Sequence, residues 1–106
     1  LETARRYGIH TVTVINNNQG YTQGLPDVLS VYKNYPGSPE SLYRFEPVDI
    51  SKVAEAFGCR SLRVEDPDDL STALDQAMCA EESVVVEVLT DPLVQPDQPW
   101  HEIKEA

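Results

Sequence analysis

The residues best suited to chemistry lie in Thr11–Tyr21, "TVTVINNNQGY", where an alternating apolar run stops in three consecutive asparagines followed by Gln19, Gly20 and Tyr21. Two readings of that stop are open. Asparagine tolerates left-handed backbone angles and bonds nearby main-chain groups, and glycine adds conformational freedom, so the cluster serves as turn chemistry. Alternatively, an amide oxygen beside a glycine carbonyl makes a pair of neutral oxygen ligands, which suits a hard cation such as Mg²⁺. Spacing alone does not choose between them.

Other candidates are weaker. Cys59 and Cys79 are far apart, with no Cys-x-x-Cys or paired-histidine spacing, and read as small buried apolar residues rather than a disulfide or zinc site. His10 begins a strand and His101 lies near the end of the chain; both read as surface residues. Asp66, Asp68 and Asp69 stand at a helix start, where capping and the helix dipole account for them without a metal. Tyr32, Tyr35 and Tyr43 fall in a loop, where they either face a substrate or partner or pack under the loop itself.

The elements that must position these groups are legible from patterning. "LETARRYG" reads as the last turns of a helix stopped by Gly8, and a chain that begins inside a helix is expected to continue upstream. Residues 10–15, "HTVTVI", read as a strand. Residues 16–48 hold most of the Gly, Pro, Asn and Tyr and read as a long loop, with one short helix around "DVLSVYKNY". In "PVDISKVAEAFG", Asp49 caps a helix whose Ile50, Val53, Ala54 and Phe57 share a face and which Gly58 ends. A short strand, "RSLRVE", precedes a helix opened by Asp66 and Pro67, with Leu70, Ala73, Leu74, Ala77 and Met78 as its buried stripe. Residues 83–89, "SVVVEVL", are nearly continuous apolar sequence, as in a strand covered on both faces. Alternating strands and helices predict an α/β fold with a parallel three-layer α/β/α sheet, and ligands in such sheets bind beyond the carboxyl ends of strands. The Asn cluster is at such an end. The proline-rich tail from residue 93 to 106 is expected to run extended, with Trp100 as a possible anchor.

Composition narrows the partners. With 106 residues and 41% hydrophobic content the chain holds one core. A net charge of −10 without a basic cluster disfavours nucleic acid and anionic membrane surfaces. No run has the length of a membrane span and no signal-peptide pattern opens the chain, so a cytoplasmic location is expected.

"LETARRYGIHTVTVINNNQGY", with "FEPVDISKVAEAFGCRSLRVEDPDDLSTALDQAM" and "SVVVEVLTDP", resembles the C-terminal, diphosphate-binding domain of the thiamine-diphosphate-dependent enzymes, in the acetolactate synthase and benzoylformate decarboxylase-like branch. The resemblance covers residues 1 to 92 and implies roughly the second half of that domain, followed by the tail 93–106. The family's Asn-Asn-x-Gly-Tyr matches Asn17, Asn18, Gln19, Gly20 and Tyr21. Carried over, the motif implies Mg²⁺ binding through the Asn18 side-chain oxygen and the Gly20 carbonyl. Thiamine diphosphate would be held by Asn18, Gly20 and Tyr21, while Asn16 has no counterpart in the motif. Tyr21 either closes over the cofactor's diphosphate end or packs as an aromatic at the strand exit.

Departures from the family are equally definite. No Gly-Asp-Gly, the anionic part of the metal site, occurs upstream of Asn18. The family's activating glutamate belongs to a separate domain that pairs across a subunit interface. Where some decarboxylases of the family carry a catalytic glutamate soon after Gly-Tyr, this chain has Gln23 and Gly24. The resemblance therefore implies a part of a lyase or transferase acting on 2-oxoacids or related carbonyl compounds, inactive in isolation. Other domains or subunits of the same enzyme, in a homo-oligomer, would complete it and bind the small-molecule substrate. A non-catalytic binding or assembly subunit with the same fold is the alternative from the residues themselves; an unrelated nucleotide-binding domain lacks the Gly-rich phosphate loop it would need.

Overall fold

A computed structural model of the chain describes residues 1–94. Its elements are α1 (Glu2–Tyr7), β1 (Val12–Asn17), α2 (Leu25–Tyr32), α3 (Glu40–Tyr43), α4 (Ile50–Ala56), β2 (Arg60–Val64), a 3₁₀ turn (Pro67–Asp69), α5 (Leu70–Met78) and β3 (Val84–Leu89). The three strands form one sheet in the order β1-β3-β2, and both pairings are parallel. The last strand in sequence is thus central, which explains its near-continuous burial.

Alternation along β3 divides the core into two faces. Val84 and Val86 pack with Val64, Ala73 and Ala77, beneath α5. Val85 packs with Ala54 and Cys59, and with half-buried Ile15, beneath α4. Helices on opposite faces of a parallel sheet make the expected α/β/α layering, and the chain presents the carboxyl ends of all three strands on one side. Among the described residues no helix is long and apolar enough to cross a membrane.

Several boundaries and burials differ from the sequence reading, each for a local reason. The first strand runs from residue 12 to 17 rather than 10 to 15, because Asn16 pairs with Val88 and Asn17 with Leu89 in the parallel ladder. Two of the three asparagines are therefore strand residues. The long loop holds two helices: α2 starts at Leu25 with Pro26 in its first turn and stops at Tyr32, and α3 is a single turn. Asp49 does cap α4, accepting from the Lys52 N–H, but Val53 and Phe57 are about half exposed, since this short helix turns only Ser51 and Ala54 fully onto the sheet. In α5 the stripe is centred on Ala73 and Ala77; Met78, at the last turn, is exposed, and Cys79 just beyond it is exposed rather than buried. His10 is exposed, as read, with its Nε2 3.3 Å from the Ala77 carbonyl oxygen. Leu93 and Val94 are exposed, and Trp100 and His101 lie outside the described residues.

Candidate functional site at the carboxyl end of the first strand

The three asparagines have three different sets of partners. Asn16 is exposed, and its Oδ1 accepts from the Thr90 hydroxyl at 2.5 Å, tying the end of β1 to the residue after β3. Asn17 is 8% exposed. Its Nδ2 donates to Glu87 Oε1 at 2.6 Å and to the Val48 carbonyl at 3.3 Å, while its Oδ1 accepts the Gln19 N–H at 3.1 Å. Asn18 is half buried; its Oδ1 accepts the Gly20 N–H at 3.1 Å and its Nδ2 donates to the Thr22 hydroxyl at 2.7 Å. Asn17 and Asn18 thus head two overlapping Asx turns.

These turns hold the backbone in an unusual shape. Gln19 has φ 55°, the left-handed region, which costs a non-glycine residue about 1–2 kcal/mol. The surroundings impose it: Gln19 O accepts the Phe45 N–H at 2.8 Å, and the Tyr21 N–H donates to Tyr43 O at 2.8 Å, so the segment 19–21 lies antiparallel against 43–45. Gly20 is required here by proximity rather than by φ. A Cβ built on it would fall within 3.0 Å of the Tyr43 carbonyl oxygen, closer than real Cβ contacts. Tyr43 is itself buried and anchors α3.

Tyr21 follows at 74% exposure, its ring edge-on to Phe45 with centroids 4.6 Å apart and planes at 88°. The pair marks the strand exit. On one side of the asparagine turn a hollow is lined by Asn16, Asn18, Thr22, Leu89, Thr90 and Asp91, with about 560 Å³ of space; a second, about 380 Å³, includes Gln19, Gly20, Phe45 and Val48. Asn18 borders both.

Glu87 was invisible as a functional residue within "SVVVEVL", yet it is completely buried beside this site. Its Oε1 accepts from Asn17 Nδ2 and, at 3.2 Å, from the Ile50 N–H; its Oε2 accepts from the Ser51 N–H at 3.0 Å and from Arg63 Nη1 at 3.2 Å. Two of these donors are first-turn amides of α4 that have no partner within the helix. Asp49 satisfies the third, Lys52 N–H, at 3.1 Å. A charge placed mid-strand thereby caps a helix on the neighbouring layer, and Arg63, opposite Glu87 in the ladder, neutralises it. Hydrogen bonds from the Ser51 hydroxyl and then the Lys52 N–H hold the Asp49 carboxyl at a pKa of about 2, well under its ordinary value. Hydrogen bonding to Glu65, and then the charges of Glu87 and Asp49, raise the Arg63 guanidinium further. The only sequence signal for this arrangement was a lone acid in an otherwise apolar strand.

The donor set at the turn fits a hard cation in part. Each of Asn17 and Asn18 accepts a single amide hydrogen through its Oδ1, leaving one lone pair, but Asn17 is 8% exposed whereas Asn18 is half buried and lines both hollows. Among the described residues no group of three or more His, Cys, Asp or Glu is placed to hold a metal. The available ligands are therefore neutral oxygens, as Mg²⁺ accepts when phosphates supply the charge.

Residues 1–88 match the family "Thiamine pyrophosphate enzyme, C-terminal TPP binding domain". The chain belongs to that family. Among relatives, it is 37% identical over 91 residues to acetolactate synthase of Bacillus subtilis (strain 168), covering 86% of this chain and 15% of the relative. It is 36% identical over 97 residues to 2-hydroxyacyl-CoA lyase of Oryza sativa subsp. japonica, covering 87% and 16%. A solved thiamin diphosphate-dependent enzyme isolated from Mycobacterium smegmatis superposes with a TM-score of 0.59 at 28% identity, covering 84% of this chain and 15% of that one. The chain thus spans about one-sixth of the length of the proteins it matches.

Proposed function

We propose that residues 1–92 act as the C-terminal part of the cofactor-binding domain of a cytoplasmic thiamine-diphosphate- and Mg²⁺-dependent enzyme, with 93–106 as a tail. The observation that carries this reading is the division among the asparagines: Asn17 is buried with its amide nitrogen on Glu87, whereas Asn18 is half buried and lines both hollows beside Gly20 at a strand end. In this reading the Asn18 side chain and the Gly20 carbonyl bind Mg²⁺, and Tyr21 stands over the diphosphate end of the cofactor. When bound, thiamine diphosphate supplies the electron sink for making or breaking a carbon–carbon bond next to a carbonyl. This chain's residues supply position. The Asx turns and the 43–45 segment keep the two oxygens in one orientation.

Relatives named as a synthase and a lyase support assigning the whole enzyme to a carbonyl-directed class, acting on 2-oxoacids or related small molecules. The remaining metal ligand, the activating acid and the substrate contacts would come from other domains or subunits of a homo-oligomer. Titration calorimetry tests the assignment. The full-length enzyme should bind thiamine diphosphate only with Mg²⁺ present, and Asn18→Ala should weaken that binding. Residues 1–106 alone should bind weakly, because one amide oxygen and one carbonyl do not replace a carboxylate ligand. Metal-independent binding by the full-length enzyme, or none at all, would favour a non-catalytic subunit instead.

A further inference from the structure

Glu87 sits where an apolar residue would satisfy the α4 face of the sheet as Val85 does, and burying its carboxylate costs several kcal/mol before partners are counted. What it does that no apolar side chain could is join three elements: β1 through Asn17, α4 through Ile50 and Ser51, and β2 through Arg63. The shortest of those bonds is to Asn17. A carboxylate only accepts, so it dictates which end of the Asn17 amide faces it. The nitrogen must point to Glu87, and the oxygen must point the other way, to the Gln19 N–H. The Val48 carbonyl, at 3.3 Å, supports the same orientation more weakly. The bond to Gln19 in turn helps hold φ 55° at the residue between Asn18 and Gly20.

We propose that Glu87 is a positioning residue for the cation-binding turn, acting through the Asn17 amide on the Asn18–Gly20 backbone. The inference rests on the assignment of Asn18 and Gly20 as the Mg²⁺ ligands. Glutamine does not substitute for Glu87, because all four partners are donors and either orientation of its amide sets an N–H₂ group against two of them.

The test uses the full-length enzyme and two readouts: hydrogen–deuterium exchange of the peptide spanning residues 16–23 without metal, and Mn²⁺ binding in the presence of thiamine diphosphate, followed by electron paramagnetic resonance. Glu87→Gln and Asn17→Ala should each speed exchange at the turn and weaken Mn²⁺ by about tenfold, the size seen when partners of metal ligands are removed. The double variant should lose no more than the worse single one, since both act on one path. Asn17→Ala leaves the other three bonds of Glu87 in place, so it reports even if Glu87→Gln folds poorly. Wild-type exchange and affinity in Asn17→Ala, or additive losses in the double variant, would overturn the positioning role. Asn18→Ala, run alongside, separates the two ideas: wild-type Mn²⁺ binding there removes the ligand assignment itself. Weak binding there beside a silent Asn17→Ala removes only the role of Glu87.

Discussion

The segment from Asp49 to Leu89 and the segment from Asn18 to Phe45 are built on different principles. The first packs α4, β2, α5 and β3 into two apolar faces and buries Ala54, Cys59, Val64, Ala73, Ala77 and Val84–Val86. The second buries only Leu25 and Tyr43 among its hydrophobic residues and leaves Tyr21, Val31, Tyr32 and Tyr35 exposed. It is held by Asx turns and main-chain bonds to the 43–45 segment. Asn17 stands on the seam, its nitrogen bound to the rigid half and its oxygen to the turn. The packed half thus holds the apolar core and the sparse half holds the exposed turn, with the Asn17–Glu87 bond joining them.

The comparison breaks most severely at Glu87. Glu87→Ala removes the buried acceptor of two α4 amides and of the Asn17 amide, while Arg63 keeps Glu65 and Asp49, so it should cost about 1–3 kcal/mol for each orphaned donor, read from the denaturant midpoint. A loss within the range of ordinary surface changes, about 0.5 kcal/mol, would show that the two halves do not depend on this charge.

Gly20→Ala comes next. The added methyl meets the Tyr43 carbonyl, so either the 19–21 segment or α3 must shift, at a cost of about 1–3 kcal/mol. Cofactor affinity should fall with it. An alanine variant with unchanged affinity and thermal midpoint would mean that the sparse half yields freely.

A smaller effect is expected from acid at Asp49, on the boundary between the halves. Its folded pKa of about 2 lies below the ordinary 3.8, so its capping contribution is present above about pH 4 and is lost as pH falls through 2. Nuclear magnetic resonance titration should give a midpoint near 2, with exchange at the Lys52 amide rising over the same interval. A midpoint near 3.8 would remove the Ser51 and Lys52 bonds as the cause. Smallest of all is Tyr35→Ala, in the exposed loop, which should stay within about 0.5 kcal/mol of wild type and leave cofactor binding unchanged. A larger loss would give the tyrosine pair Tyr32–Tyr35 a structural role.

How much of this was legible in the sequence follows the same division. Apolar periodicity marked α4, β2, α5 and β3, because burial against a sheet leaves a repeating trace, and the caps Asp49 and Asp66 announced their helix starts. Periodicity overstated burial at Val53, Phe57 and Met78, since an apolar face can extend past the surface available to cover it. The sparse half left no such trace: α3 is one turn fixed by a buried Tyr43, and no local pattern encodes the main-chain bonds of Gln19 to Phe45. Within the site, the spacing of Asn17, Asn18 and Gly20 was readable and the reason for each was not. That Asn17 belongs to Glu87 depends on contacts between residues 70 positions apart. Gly20 matters through a carbonyl that approaches from a distant turn, not through a positive φ.

Whether the asparagines divide into one ligand, one linchpin and one bystander is decided by Mg²⁺-dependent thiamine diphosphate affinity and thermal midpoint in Asn16→Ala, Asn17→Ala and Asn18→Ala of the full-length enzyme. Asn18→Ala should lose affinity at a nearly unchanged midpoint, with partial rescue by excess Mg²⁺. Asn17→Ala should lose both, and Asn16→Ala neither, beyond about 1 kcal/mol for its bond to Thr90. An Asn18→Ala enzyme that binds like wild type, beside an Asn16→Ala or Asn17→Ala enzyme that loses affinity at an unchanged midpoint, would contradict the account.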